Sequence, residues 1–386
     1  METLASATSA GRRHFPSLDG MRGIAVLAVM ALHWGVLGIG WIGVQIFFVL
    51  SGYLITVSLI VERERVKAPE GFATYARAFI SRRTRRILPL YSLYVIGYLL
   101  IKHLSAPPGV DHVAALSLVT FTVNIVAVLV PQTDFSNIGH FWSLALEEQF
   151  YLLWPIVVYF STGPSLRYIA LCLILVSPVL RLFYSIHALA SIDGISTARI
   201  YEAIKFMPQF QMDSFAAGAL VASAGNMLLR ATVIRSIFFA LAALAVGAGL
   251  MLMVNQLAQG EVLGVARVMT FGYDFLMPKY YQLVWGYSLI NLATAACILG
   301  IVKNAISFRL LELPKLVHVG RISYGLYVLH VPVLASIHMW FGPPASIGTR
   351  IGFGLVYGII SIIIAHLSFT YFESKFQFKK QCQQSL

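Results

Sequence analysis

The feature that most constrains this chain is a recurrence of apolar runs, each close to the length needed to cross a bilayer. They fall at 22–39, 41–61, 87–102, 113–130, 142–160, 168–187, 206–224, 236–254, 280–302, 322–340 and 351–371. A helix of roughly 20 apolar residues spans the hydrocarbon core. Only helices or closed barrels satisfy their backbone polar groups there. Of the 386 residues, 58% are hydrophobic and 11% charged, against about a quarter charged in a soluble domain. Runs of this length recurring along the whole chain predict an all-α polytopic membrane protein embedded in a lipid bilayer. The net charge of +12 sits mainly between the runs, as orientation by the positive-inside rule requires. No nucleic-acid-binding signature accompanies it, and nucleic acid is excluded as a partner.

Charge also sets the expected topology. The stretch 62–86 holds eight Lys/Arg against three Glu, which makes it cytoplasmic and places the N-terminus inside with it. If all eleven runs span, the basic stretch Lys303, Arg309, Lys315 and Arg321 lies outside, together with Lys375, Lys379 and Lys380. If one run fails to cross, both return inside. Thr120, Thr122 and Asn124 interrupt 113–130, and irregular backbone at membrane depth is tolerated where protein buries it. The expectation is therefore about ten transmembrane helices with both termini cytoplasmic and a re-entrant segment at 113–130. It divides the chain into a cytoplasmic tail at 1–18, a transmembrane domain at 19–373 and a second cytoplasmic tail at 374–386. Arg12 and Arg13 precede the first run without a small-residue cleavage site, so that run reads as a retained span. Phe72, Tyr75 and Phe79 follow helical spacing ahead of the arginines, as in a short amphipathic helix on the inner surface. Cys172, Cys297 and Cys382 show no metal-ligand spacing and no disulfide framework, and no metal site is expected.

Ionisable residues inside spans are costly and mark function by default. The first span, "DGMRGIAVLAVMALHW", carries Arg22 and His33, about 16 Å apart along a helix axis. Arg22 fits either a snorkelling anchor or a ligand contact. His33 fits either a helix–helix contact or a general base. On "GWIGVQIFFVLSGYL" the glycines and Ser51 suit close helix packing, and Gln45 suits a hydrogen bond beside a buried site. In "SRRTRRILPLY", Arg83 and Arg86 share a helix face and are suited to gripping phosphate. In "GHFWSLALEEQFYLLWP", Glu147 shares a face with Ser143 and Tyr151. Its carboxylate could orient the His33 imidazole or serve a proton relay. Arg181 and Asp213 are expected to pair inside the bundle, and His330, two residues before Pro332, suits a contact at a helix kink. A proton-coupled transporter using Glu147, His33 and Asp213 is the alternative reading, though the inverted repeats and paired broken helices of many transporters are not evident.

Five of these stretches, in this order, carry a resemblance: "SLDGMRGIAVLAVMALHW", "FFVLSGYLI", "RRTRRILPLY", "FWSLALEEQFYLLWP" and "GRISYGLYVLHVP". Over nearly its full length the chain resembles the membrane-bound acyltransferase-3 family, whose members O-acylate cell-surface carbohydrates and other extracytoplasmic acceptors. The C-terminal "YFESKF" departs from the family's glutamate-x-proline, so Glu373 is carried over weakly. The chain is similar to the stand-alone members, which lack an appended hydrolase-like domain.

The resemblance implies a bacterial inner-membrane O-acetyltransferase. It makes His33 the essential histidine, Arg22 its paired basic residue, and Arg83 with Arg86 the RxxR element near the acyl-CoA phosphates. Glu147 becomes the family's glutamate. From their own placement in the spans, Gln45, Ser51, Tyr151, Arg181, Asp213 and His330 are the expected substrate contacts or site support. No permanently bound cofactor is implied. The expected donor substrate is an acyl-CoA, namely acetyl-CoA, and a carbohydrate or glycolipid supplies the accepting hydroxyl. Whether His33 acts as base or is acylated itself is left open at this level.

Overall fold

The structure, a computed structural model, describes residues 14–66, 71–105, 111–191, 197–224, 230–258, 270, 273, 282–344 and 346–377. Arg12, Arg13, Lys379, Lys380 and Cys382 lie outside the described residues, as do most of the two expected tails. All regular secondary structure among the described residues is helical, without strands. The helices are α1 (Pro16–His33), α2 (Ile42–Arg65), α3 (Gly71–Ser105), α4 (His112–Val119), α5 (Val123–Leu129), α6 (Trp142–Phe160) and α7 (Gly163–Ser191). Then follow α8 (Thr197–Phe206), α9 (Met212–Ser223), α10 (Ala231–Ala258), α11 (Tyr287–Val302), α12 (Pro314–Arg321), α13 (Ser323–Phe341) and α14 (Ile347–Ser368).

Seven of these, α2, α3, α7, α10, α11, α13 and α14, are long and apolar enough to cross a membrane. Three more, α1, α6 and α9, occupy expected spans but are shorter or more polar. In α1 and α6 the residues that lower the hydropathy are Asp19, Arg22, Glu147 and Glu148, and two of them, Arg22 and Glu147, bear candidate chemistry. The run 113–130 is α4 and α5, two short helices broken at Thr120–Thr122. The Thr120 hydroxyl donates 2.8 Å to the Leu116 carbonyl, and Phe121 takes a left-handed φ of 53°. Neither piece is long enough to cross a bilayer.

Large apolar side chains remain exposed along α7, α10 and α14, among them Leu175, Phe183, Met251 and Ile359. In water such surface would be prohibitive, whereas lipid is its natural solvent. Inside, small residues bring backbones together. A Cβ on Gly52 would lie 2.0 Å from the Phe215 carbonyl oxygen, and one on Gly218 would lie 2.0 Å from that of Val49. This pair of glycines lets α2 and α9 cross in backbone contact.

One expectation needs correction. The arginine-rich stretch is not a separate surface helix, because α3 runs unbroken for 35 residues with Pro89 inside it. Its aromatic face does not lie on lipid headgroups. Tyr75 and Phe79 are fully buried, and Phe72 packs against Tyr159 and Phe160 of α6.

Candidate active site

Three cavities adjoin one another through shared wall residues. The first, at the Arg65 end of α2, is lined by Asp19, Arg22, Glu62, Arg65 and Arg82. It shares Arg22 and Leu54 with a second cavity of about 280 Å³, whose walls include Ser51, Arg83, Arg86, Ser143, Glu147 and Tyr151. The second shares Val44 and Tyr327 with a third of about 380 Å³, where His33, Gln45, His140 and Lys205 meet Trp41, Trp142, Tyr201 and Tyr287.

The second cavity gathers the expected arginines. Arg22 comes from α1, and Arg83 and Arg86 come one turn apart from α3. None of the three makes a hydrogen bond or ion pair with another described residue. Arg83 lies over the rings of Phe79 and Tyr151, at 5.7 and 5.5 Å. Glu147 is the acid among them, held by the Ser51 hydroxyl at 2.7 Å and the Tyr151 hydroxyl at 3.1 Å. The clustered guanidiniums keep their donors free, which suits a multiply charged anion such as phosphate.

The third cavity is a different chamber. His33 lines it and keeps accessible surface. Its Nδ1 lies 3.1 Å from the Val29 carbonyl and 3.1 Å from His330 Nε2. Gln45 donates from Nε2 to Gln211 at 3.0 Å, and its own Oε1 has no partner. Both ring nitrogens of buried His140 also lack partners. The Lys205 ammonium sits 5.2 Å above Trp142 and 5.0 Å above Phe206. Aromatic faces with a few polar groups are a suitable wall for a sugar ring. At the junction of the two cavities, the Tyr327 hydroxyl meets Ser143 Oγ at 2.5 Å and donates to the His140 carbonyl.

The expected residues therefore divide. Arg22, Ser51, Arg83, Arg86, Glu147 and Tyr151 share one cavity, while His33 and Gln45 belong to the next. The side-chain hydrogen-bond partner of His33 is His330, and Glu147 bonds to Ser51 and Tyr151 instead. Arg181 and Asp213 line neither cavity. They pair at 2.8 and 3.1 Å with almost no exposure, and Ser288 bonds both partners at 2.6 Å. The relay of Glu147, His33 and Asp213 that a transporter would use is not assembled, because Arg181 and Ser288 already occupy Asp213. Glu373 is buried and accepts from Ser368 at 2.9 Å.

His140, Lys205 and Tyr327 were not singled out from sequence. Lys205 had a legible signal, a cation just ahead of the apolar run at 206–224. His140 and Tyr327 lay within the recognisable stretches but looked like ordinary helix-end and core residues.

Comparison with known proteins shows the family to which the chain belongs. The acyltransferase domain family matches residues 15–369. O-acetyltransferase OatA of Staphylococcus aureus (strain NCTC 8325 / PS 47) is 27% identical over 349 residues, covering 85% of this chain and 52% of that protein. Peptidoglycan O-acetyltransferase OatA of Listeria monocytogenes serovar 1/2a is 34% identical over 161 residues, covering 38% of this chain and 25% of that protein. The chain spans about half the length, or less, of these relatives. No solved structure matches it. With the family matched from the first helix to the last, the chain belongs to the acyltransferase-3 family of membrane proteins.

Proposed function

We propose that the chain is an integral membrane O-acetyltransferase. It takes an acetyl group from acetyl-CoA on the cytoplasmic side and delivers it to a hydroxyl of an extracytoplasmic or lipid-linked carbohydrate. The observation that carries this reading is the set of three unpaired arginines in a cavity whose far wall, Val44 and Tyr327, is also the near wall of the His33 chamber. The reading takes both termini as cytoplasmic, from the basic stretch at 62–86, so the arginine end of the path opens inward.

The chemistry follows from the division of labour. The nucleotide end of the donor carries the phosphates, which Arg22, Arg83 and Arg86 hold by charge-assisted hydrogen bonds. The pantetheine arm is mostly uncharged and threads past Tyr327, so no phosphate passes beyond the arginine cavity. In the chamber the sugar hydroxyl gives its proton to His33 and its oxygen attacks the thioester carbonyl. The tetrahedral intermediate collapses with cleavage of the carbon–sulfur bond, and the leaving thiolate takes the proton back from His33. The products are the acetyl ester and free CoA. Lys205, Gln45 and His140 are placed around the same chamber to hold the acceptor or the developing oxyanion.

The test follows radiolabel from acetyl-CoA in membranes containing wild type or His33→Ala at matched expression. Label is expected in a glycan or glycolipid fraction with wild type and absent with His33→Ala. Equal transfer by both proteins would overturn the assignment of His33.

A further inference from the structure

Two imidazoles meet at the chemical end of the path, and the positions of their protons follow from what surrounds them. A carbonyl oxygen can only accept a hydrogen bond. His330 Nδ1 lies 2.8 Å from the Tyr327 carbonyl and 3.2 Å from that of Leu326. Its Nδ1 therefore carries the hydrogen, and in a neutral ring its Nε2 presents a lone pair. His33 Nδ1 faces two acceptors, the Val29 carbonyl and His330 Nε2. It must carry a hydrogen too. The two rings fit together as neutral imidazoles in one arrangement, with the lone pair of His33 left on Nε2.

We propose that His330 is a positioning residue that fixes the His33 tautomer, so that His33 Nε2 receives the acceptor's proton, and that it shares the resulting positive charge. The proposal rests on the transfer reaction above. When Nε2 takes the hydroxyl proton, His33 becomes an imidazolium whose Nδ1–H already points at the His330 lone pair. The proton can be shared with, or pass to, His330 Nε2 while His330 Nδ1–H stays on the Tyr327 and Leu326 carbonyls. When the thiolate departs it takes a proton from His33 Nε2, and the pair returns to its starting state. The role is that of the buried carboxylate in a hydrolytic triad, played here by a neutral base.

The other groups facing the pair leave this assignment intact. His140 lies with its ring 5.4 Å from that of His330, and neither of its nitrogens makes a hydrogen bond. The Tyr327 hydroxyl is engaged with Ser143 and the His140 carbonyl. Lys205 lines the same chamber as His33 and opposes any further positive charge there. Glu147 is bound by Ser51 and Tyr151 in the neighbouring cavity. A neutral partner also lets the chamber stay free of a buried anion, which would repel an acidic acceptor.

Side-chain geometry supplies the test. A glutamine at 330 places its amide oxygen near the position of Nε2, whereas an asparagine reaches only the position of Nδ1. Transfer from radiolabelled acetyl-CoA would be measured for wild type, His33→Ala and the 330 variants in membranes. Melting of the detergent-solubilised proteins would check folding. His330→Leu and His330→Asn should lower kcat on the order of 10²-fold, with the acetyl-CoA KM within about twofold. His330→Gln should stay within about tenfold of wild type, because it restores the acceptor to His33. If the leucine variant does not accumulate, the contrast between glutamine and asparagine carries the test. Equal activities for glutamine and asparagine, or a wild-type kcat for leucine, overturn the role of His330 while His33-dependent transfer still stands. Absence of His33-dependent transfer in wild type overturns the transfer reading, and this proposal with it.

Discussion

The two cavities that meet at Val44 and Tyr327 are built from opposite materials. The arginine cavity holds three cations and one carboxylate, with the arginine donors unspent on protein groups. The histidine chamber holds imidazoles, an amide and aromatic walls, with Lys205 as its cation. Charge density suits the first to gripping a polyanion, and a low-polarity wall suits the second to proton transfer between weakly basic groups. In the proposed transfer, the difference lets a reagent be used across a membrane without being carried across it. The charged end stays with the arginines, and the reactive end alone advances.

Substitutions on the two sides should therefore fail in different ways. The largest effect is expected from His33→Ala, which should lower kcat by about 10³-fold or more while acetyl-CoA still binds. Steady-state transfer with a parallel acetyl-CoA binding assay separates these two quantities. Next comes a site outside both cavities. Asp213→Leu strands buried Arg181, and removing one partner of such a pair costs about 3–5 kcal/mol. It should lower the melting temperature and the amount of folded protein, and a normal melting curve would contradict the structural assignment. Arg83→Ala with Arg86→Ala should raise the acetyl-CoA KM about 10²-fold, since each charge-assisted hydrogen bond contributes about 1.5–3 kcal/mol. A fall in kcat with KM unchanged would break the comparison at its root. Ser51→Ala removes one donor to Glu147 and should cost less than about tenfold in kcat/KM, measured in the same assay.

Much of the arginine cavity was legible before any fold was known. Arg83 and Arg86 are one turn apart, so they share a face whatever the helix packs against. The break in 113–130 was legible for a similar reason, because Thr120 and Thr122 bring hydroxyls that compete for backbone carbonyls. The partner of His33 was not. Glu147 seemed suited to it by depth along the helix, but rotation about the helix axis decides contact, and Glu147 turns toward Ser51. His330 lies 297 residues away in the chain, and only packing of α13 against α1 brings it close. The extent of α3 was not legible because the apolar run starts only at Ile87, and the arginines ahead of it separate it from the aromatic stretch that belongs to the same helix. A proline removes one hydrogen bond and clashes with one carbonyl, which a helix packed against neighbours over 35 residues survives. Lys205 sits at the end of α8, outside the apolar run, where a cation has the look of an ordinary helix-end charge.

The most direct measurement of the central claim is the reaction of the purified protein with bromoacetyl-CoA, followed by peptide mass spectrometry. This reagent carries the donor's phosphates at one end and an alkylating carbon at the position of the acetyl methyl. Attack by an imidazole nitrogen forms a nitrogen–carbon bond and releases bromide. If one path joins the arginines to the chamber, the modified residue is His33, modification is suppressed by excess CoA, and it is slowed in the Arg83→Ala/Arg86→Ala variant. Modification confined to residues outside the chamber, or modification of His33 that neither CoA nor loss of the arginines affects, would show that donor site and histidine are not parts of one path.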